Sequence, residues 1–325
     1  MLEEQIIADI LKAKKDVGGI DKVFFTACGG SIAAFYPCKF LLESESRKLR
    51  RIGYYSANEF VHATPASLDK NSLVIACSHQ GTTPETIEAI KLARSKGAST
   101  IAFSYAEGSE ITKYGDRTII YEWGPASSEA QQKASKGLRI AIEVLNQLEG
   151  WKYYDAAMKG FEALDSVVTR AKEMVRPAAR KFAQENALEK LIYTIGSGAS
   201  FGSAYIEDIC ILKEMQWIHS SSIHSGEFFH GPLEIADTQT PFLLFLSEGR
   251  TRPLDERVLS FLKRYAAKIY TIDVRDLGIN VIDDTVSEYF SPLVLTNIVA
   301  LYNEELAYIR KHPLMTRRYM WKVKY

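Results

Sequence analysis

The chain repeats itself, and the repeat limits what it can fold into. Val23-Phe24-Phe25-Thr26-Ala27, followed by Cys28-Gly29-Gly30-Ser31, returns as Leu191-Ile192-Tyr193-Thr194-Ile195, followed by Gly196-Ser197-Gly198-Ala199-Ser200. Both read as a buried strand, a glycine-rich turn and a helix start. Ser31 and Ser78 lie 47 residues apart, as do Ser200 and Ser247, so two pairs of loops recur at an offset of 168 or 169 residues. Matching loops in the same order predict a duplicated α/β unit. Apolar runs at 22–27, 52–55, 73–77, 100–103 and 117–121, and again near 191–195, 218–223, 241–246 and 268–272, alternate with helical patterns. That alternation predicts parallel sheets. Helices are expected at 2–15, 128–149, 155–187 and 202–215. The expected organisation is a first domain over 1–150, linker helices over 151–187 and a second domain over 188–325.

In open parallel sheets, ligands bind beyond the carboxyl ends of the strands, where all four recurring loops lie. The loop Ser78-His79-Gln80-Gly81-Thr82-Thr83-Pro84-Glu85-Thr86 leaves an apolar run and enters a helical pattern. Thr83 suits the N-cap and Pro84 the first helical position, leaving a first turn of unpaired N–H groups. Hydroxyls, free amides and the positive end of the helix dipole make this a phosphate cradle that needs no lysine. Gly30 and Ser31 add close backbone approach and a second hydroxyl, so phosphate binding is expected in the first half. The chain carries neither G-x-G-x-x-G nor G-x-x-x-x-G-K-[ST], which sets NAD and ATP aside.

Forty basic and forty acidic residues cancel, and no cluster of Lys or Arg offers a track for nucleic acid or an anionic membrane surface. No run reaches eighteen apolar residues. Cys28, Cys38, Cys77 and Cys210 fall at no metal-ligand spacing, and the first thirteen residues hold three acids and no signal-like apolar run. A cytoplasmic protein with reduced thiols and a small-molecule partner is expected.

The second half holds the reactive side chains. Glu214, His219, His224, Glu227, His230 and Glu234 fall within 21 positions. Glu214 closes the expected helix, where the dipole disfavours a carboxylate and raises its pKa toward that of a useful base. His230 precedes Gly231-Pro232 in a turn. His219, His224 and His230 are spaced five and six apart, off any single helical face, and H-E-x-x-H is absent, so no metal site is expected.

Together, Cys28-Gly29-Gly30-Ser31, the turn at 78–86 and the stretch at 214–232 resemble the sugar isomerase (SIS) family. The resemblance covers nearly the whole chain and implies two tandem SIS domains, each a parallel β-sheet flanked by helices in a flavodoxin-like three-layer sandwich. His224-Ser225-Gly226-Glu227-Phe228-Phe229-His230-Gly231-Pro232 and the tail Arg317-Arg318-Tyr319-Met320-Trp321-Lys322-Val323 narrow it to the fructosamine 6-phosphate deglycases, with the 6-phosphofructose-aspartate branch the best match. By resemblance, Glu214 moves a proton between C1 and C2 and His230 assists ring opening. Gly30, Ser31, Ser78, Gln80 and Thr83 hold the 6-phosphate, and Glu227 and Lys322 are further candidates. The resemblance also implies at least a homodimer that shares its active site, and no cofactor.

Two positions depart from the family pattern. Gln80 replaces the second hydroxyl of the S-x-S-G turn, and Ile211 stands where glucosamine-6-phosphate synthases have a lysine three residues before the glutamate. The second departure leans away from plain aldose–ketose isomerisation. Arg317, Arg318, Lys322 and Lys324 read as solvated tail cations. The rival readings are fructoselysine or glucoselysine 6-phosphate deglycase, a phosphosugar isomerase, and a phosphosugar-sensing module. Such sensors carry a helix-turn-helix, for which the residues before the first strand leave no room.

Overall fold

Each of two parallel sheets belongs to its own compact unit, Met1–Asp155 and Ala156–Tyr325. This computed structural model describes residues 2–324. The first unit contains β1 Lys22–Ala27, β2 Arg51–Ser56, β3 Ser72–Cys77, β4 Ser99–Ser104 and β5 Arg117–Ile120. They lie in the order β2-β1-β3-β4-β5, every pair parallel. Its helices are α1 Glu3–Lys14, α2 Gly29–Ala33, α3 Tyr36–Glu45, α4 Ala57–His62, α5 Pro84–Ser95 and α6 Lys133–Glu149. The central strands β3 and β4 are buried along their whole length, because parallel sheets are covered on both faces; exposed residues gather on edge strand β2.

The strand order reverses direction between β1 and β3, where Ala27 pairs with Cys77. The two loops that follow, at Cys28 and Ser78, therefore leave the sheet side by side. A crevice at such a switch point is where doubly wound sheets take their ligands.

Helix α6 starts later than its apolar pattern suggests. Glu122 N donates to Gln131 O at 2.9 Å and Glu122 bridges to Gln132, which holds Gln132 extended at ψ 162°, so α6 begins at Lys133. The ion pair of Glu3 with Lys136 at 2.7 Å ties α1 to α6.

The second unit runs through α7 Tyr154–Asn186, β6 Leu191–Gly196, α8 Phe201–Ile206, β7 His219–His224, β8 Phe242–Leu246, α9 Arg252–Tyr265, β9 Ile269–Asp273 and α10 Ser287–Arg310; only Tyr154 and Asp155 of α7 fall in the first unit. Its sheet order, β7-β6-β8-β9, is that of the first four strands of the other unit, and β6–β9 begin 168 to 170 residues after β1–β4. Strand β8 is wholly buried, whereas edge strand β7, His-Ser-Ser-Ser-Ile-His, is partly exposed.

The α-helix expected over 202–215 is instead α8 followed by a π-helix, Glu207–Met215. Asp208 and Lys213, five residues apart, pair at 2.8 Å, as the wider π turn allows. Asp208 Oδ2 also accepts from Ser222 N at 2.9 Å, pinning the wide turns to β7. Such π segments recur at functional sites. Among the described residues no helix is long and apolar enough to cross a membrane.

Candidate active site

In the first unit, the turn between β3 and α5 is built around one buried hydroxyl. Ser78, 2% exposed, shares a 2.8 Å hydrogen bond with Thr83 Oγ1 and accepts one from Thr83 N at 3.2 Å. Thr83 sits at the N-cap of α5 in an extended conformation, but its hydroxyl turns to Ser78 rather than capping the helix. Gly81 N closes the loop on Ser78 O at 3.0 Å with φ +70°. A Cβ at Gly81 would fall 1.9 Å from Ser109 Oγ, so only glycine fits. Gln80 is exposed at the tip of this turn.

Gly30 and Ser31 lie in α2, the short helix after β1, with Ser31 nearly buried. A lysine stands beside Ser31. Lys133, the first residue of α6, donates from Nζ to Ser31 Oγ at 3.2 Å, across a separation of 102 residues. Its ammonium also lies 5.7 Å from the centre of the Tyr121 ring. His79 Nδ1 meets Tyr121 OH at 2.9 Å, and its ring stacks on Tyr105 at 5.3 Å. Burial, and then the field of Lys133, pushes His79 down to about 4, so it is neutral at physiological pH.

In the second unit, Glu214 lies in the last turn of the π-helix, about a quarter exposed. Arg317 Nη2 meets its Oε1 at 2.7 Å. The expectation that the tail cations are solvated fails at this residue. The Arg317 side chain is 4% exposed and donates from Nη1 to Leu314 O at 2.6 Å and to Thr316 O at 3.0 Å. Its guanidinium lies 5.2 Å from the centre of the Trp321 ring. Burial raises the pKa of Glu214, and the Arg317 charge and hydrogen bond pull it back. Desolvation leads the causes resolved here.

His230 and Glu227 are exposed on the turn after β7, and His230 N donates to Glu227 O at 2.9 Å. Phe228, between them, is fully buried in the core of the unit and anchors the turn. His224 is half-buried against Phe201, accepts from Gly226 N at 3.1 Å, and has its pKa lowered by burial. Lys322 is exposed. Among the described residues no three His, Cys, Asp or Glu side chains converge as a metal site would require.

The loops at the carboxyl edge of the second sheet are already engaged by an internal anion. Asp255, fully buried on α9, accepts through Oδ1 from Ser197 Oγ at 2.7 Å and Ser225 Oγ at 2.6 Å. Burial raises Asp255 to about 6 against these bonds. A carboxylate from within the fold stands at these loop ends.

The SIS domain family matches residues 19–145. Over 323 residues, 99% of this chain and 97% of the relative, the sequence is 43% identical to the fructosamine deglycase FrlB of Bacillus subtilis strain 168. It is 29% identical to the fructoselysine 6-phosphate deglycase of Escherichia coli K12, over 80% of this chain and 75% of that one. A crystal structure of a candidate phosphosugar isomerase from Salmonella typhimurium LT2 superposes with a TM-score of 0.96 at 47% identity, covering 99% of this chain and 96% of the other. The fold and these matches define a sugar-isomerase-type protein. The chain belongs to the SIS-domain family of fructosamine deglycases.

Proposed function

We propose that the chain hydrolyses a 6-phosphofructosyl-amino acid to glucose 6-phosphate and the free amino acid, with 6-phosphofructose-aspartate as its substrate. One observation carries the chemistry: Glu214 is a partly desolvated carboxylate with a raised pKa, oriented by a buried arginine. A general base works best when its pKa approaches the operating pH, and burial moves Glu214 that way. The full-length similarity to FrlB supports the substrate class.

In this reading His230 assists opening of the ketosamine ring. Glu214 removes a proton from C1, the C1–C2 double bond of an enaminol forms, and the C2 carbonyl oxygen takes up a proton. Return of a proton to C2 leaves an aldimine at C1, and addition of water releases the amine and the aldehyde of glucose 6-phosphate. The substrate's own nitrogen makes the imine, so the sequence of steps calls for no cofactor. Gly30, Ser31, Ser78, Gln80 and Thr83 hold the phosphate in the first of two tandem SIS domains, with the linker helices over 151–187 between them. The assembly is a cytoplasmic homodimer or larger, with His230 serving across subunits. The exposed tail cations Arg318 and Lys322 support an adduct that carries an extra carboxylate, and Glu227 shares the turn that presents His230.

A coupled assay for glucose 6-phosphate over fructose-aspartate, fructose-asparagine and fructose-lysine 6-phosphates tests the proposal. Turnover fastest with the aspartate adduct is expected. Preference for the lysine adduct would reassign the amino acid. Interconversion of fructose 6-phosphate and an aldose phosphate without ketosamine turnover would replace the deglycase reading by an isomerase.

A further inference from the structure

The side chains proposed as the cradle, Ser31, Ser78 and Thr83, are neutral, and the fold brings a cation beside them. Lys133 Nζ donates to Ser31 Oγ at 3.2 Å. Cys77, buried at the end of β3 and within the field of Lys133, is the residue immediately before Ser78. Lys133 therefore stands at the meeting point of the β1 and β3 loops. The remaining groups around it are uncharged: Ser31 and Tyr121 hydroxyls, the buried Cys77 thiol and a neutral His79. Among the described residues no carboxylate lies within ion-pair distance of Lys133, although Lys136, one turn later on the same helix, is paired with Glu3 at 2.7 Å. A partly desolvated ammonium without a counter-ion is costly, and an anion bound at Ser31 would remove that cost.

We infer that Lys133 is a phosphate-binding residue of this enzyme, supplying through Nζ a full positive charge to the first-unit cradle for the 6-phosphate dianion of the substrate. The inference rests on the phosphate role proposed above for Ser31, Ser78 and Thr83. It gives α6 a function beyond packing. The extended Gln132 and the bridge to Glu122 set where α6 begins, and so where the ammonium reaches.

The test measures binding of inorganic phosphate and of glucose 6-phosphate by calorimetry to the intact protein, Lys133→Met, Lys133→Arg and Ser78→Ala. A charge-assisted hydrogen bond to phosphate predicts that Lys133→Met weakens both ligands by about tenfold to a hundredfold, and that Lys133→Arg recovers most of the loss. In turnover, KM for the ketosamine phosphate rises by more than kcat falls. Unaltered phosphate binding in Lys133→Met, with Ser78→Ala weakened, overturns the lysine assignment and spares the cradle. Unaltered binding in both variants overturns the cradle as well. A collapse of kcat at unaltered phosphate affinity would move Lys133 from binding to chemistry and also overturns the inference. In the unsubstituted protein, inorganic phosphate should protect Lys133 from amine acylation as read by peptide mass spectrometry; equal labelling with and without phosphate counts against it even if the variants fail to fold.

Discussion

Arg317 and Glu214 form an ion pair of 2.7 Å in which the arginine side chain is almost wholly buried and the carboxylate about a quarter exposed. The C-terminal segment thereby touches the end of the π-helix through the residue proposed as the base. Arg317 is itself held by the Leu314 and Thr316 carbonyls, so its guanidinium presents one face to Glu214. Truncation of Arg317 would leave the carboxylate partly desolvated with no opposing charge.

A pH profile reads this pair directly. A carboxylate in the proposed role of base works only when ionised, so activity is expected to fall as pH drops through the folded pKa of Glu214. Burial raises that pKa and Arg317 lowers it, and Arg317 is the charged group whose field on Glu214 is resolved. The other charged groups of the π-helix are engaged elsewhere, Lys213 with Asp208 and Glu207 with Asn303. Just beyond its end, Arg310 donates to Gln216 O and Arg318 lies over the Trp217 ring. Arg317→Gln is expected to move the acid limb of kcat/KM to higher pH. An acid limb that stays in place would show that the pair does not tune the base.

Glu214→Gln keeps the shape of the side chain and removes the carboxylate proposed as the base. The loss in kcat is expected to be about 10² to 10⁴-fold, while binding of inorganic phosphate is retained. Turnover of ketosamine phosphate at the parent rate would exclude Glu214 from proton transfer.

Ser78→Ala removes the acceptor of Thr83 N and the partner of Thr83 Oγ1. A lost hydrogen bond in a buried turn costs about 1 kcal/mol of stability. The larger effect is expected in steady-state kinetics, with KM rising several-fold and kcat at saturation falling less. A fallen kcat at constant KM would contradict a phosphate contact.

Glu207, fully buried in the first turn of the π-helix, accepts from Asn303 Nδ2 at 2.8 Å, and burial pushes its pKa up to about 8. A carboxyl whose folded pKa lies above its unfolded value contributes stability that is fully present below about pH 4.5 and disappears as pH rises through about 8. Glu207→Gln is expected to flatten this dependence. Denaturant midpoints at pH 6 and pH 9 should lie closer together in the variant than in the parent; an equal gap would mean that Glu207 does not carry the titration.

Much of the fold was legible because strands in a covered parallel sheet are short apolar runs, and such runs are local. Strands expected at 22–27, 73–77, 191–195 and 241–246 form as Lys22–Ala27, Ser72–Cys77, Leu191–Gly196 and Phe242–Leu246. Thr83-Pro84 likewise marks the start of α5 through its own backbone preferences. The π-helix was not legible, since the apolar spacing over 202–215 fits an α-helix, and the contacts that accompany the wider turn, Asp208 with Lys213 and with Ser222, are made only in the folded chain. The role of Asp255 was equally hidden, because Ser197 and Ser225 meet it only after β6 and β7 have been laid side by side.

By itself, the order of residues determined the alternating strands and helices, the family, and the hydroxyl-rich turn at Ser78, all of which follow from side chains within a few positions of one another. Only the tertiary structure decided which charges meet: Lys133 with Ser31, and Arg317 with Glu214. A lysine or arginine is written the same way whether it is solvated or buried. Its partner is chosen by the path of the backbone across about a hundred residues, and burial then decides how strongly the pair interacts.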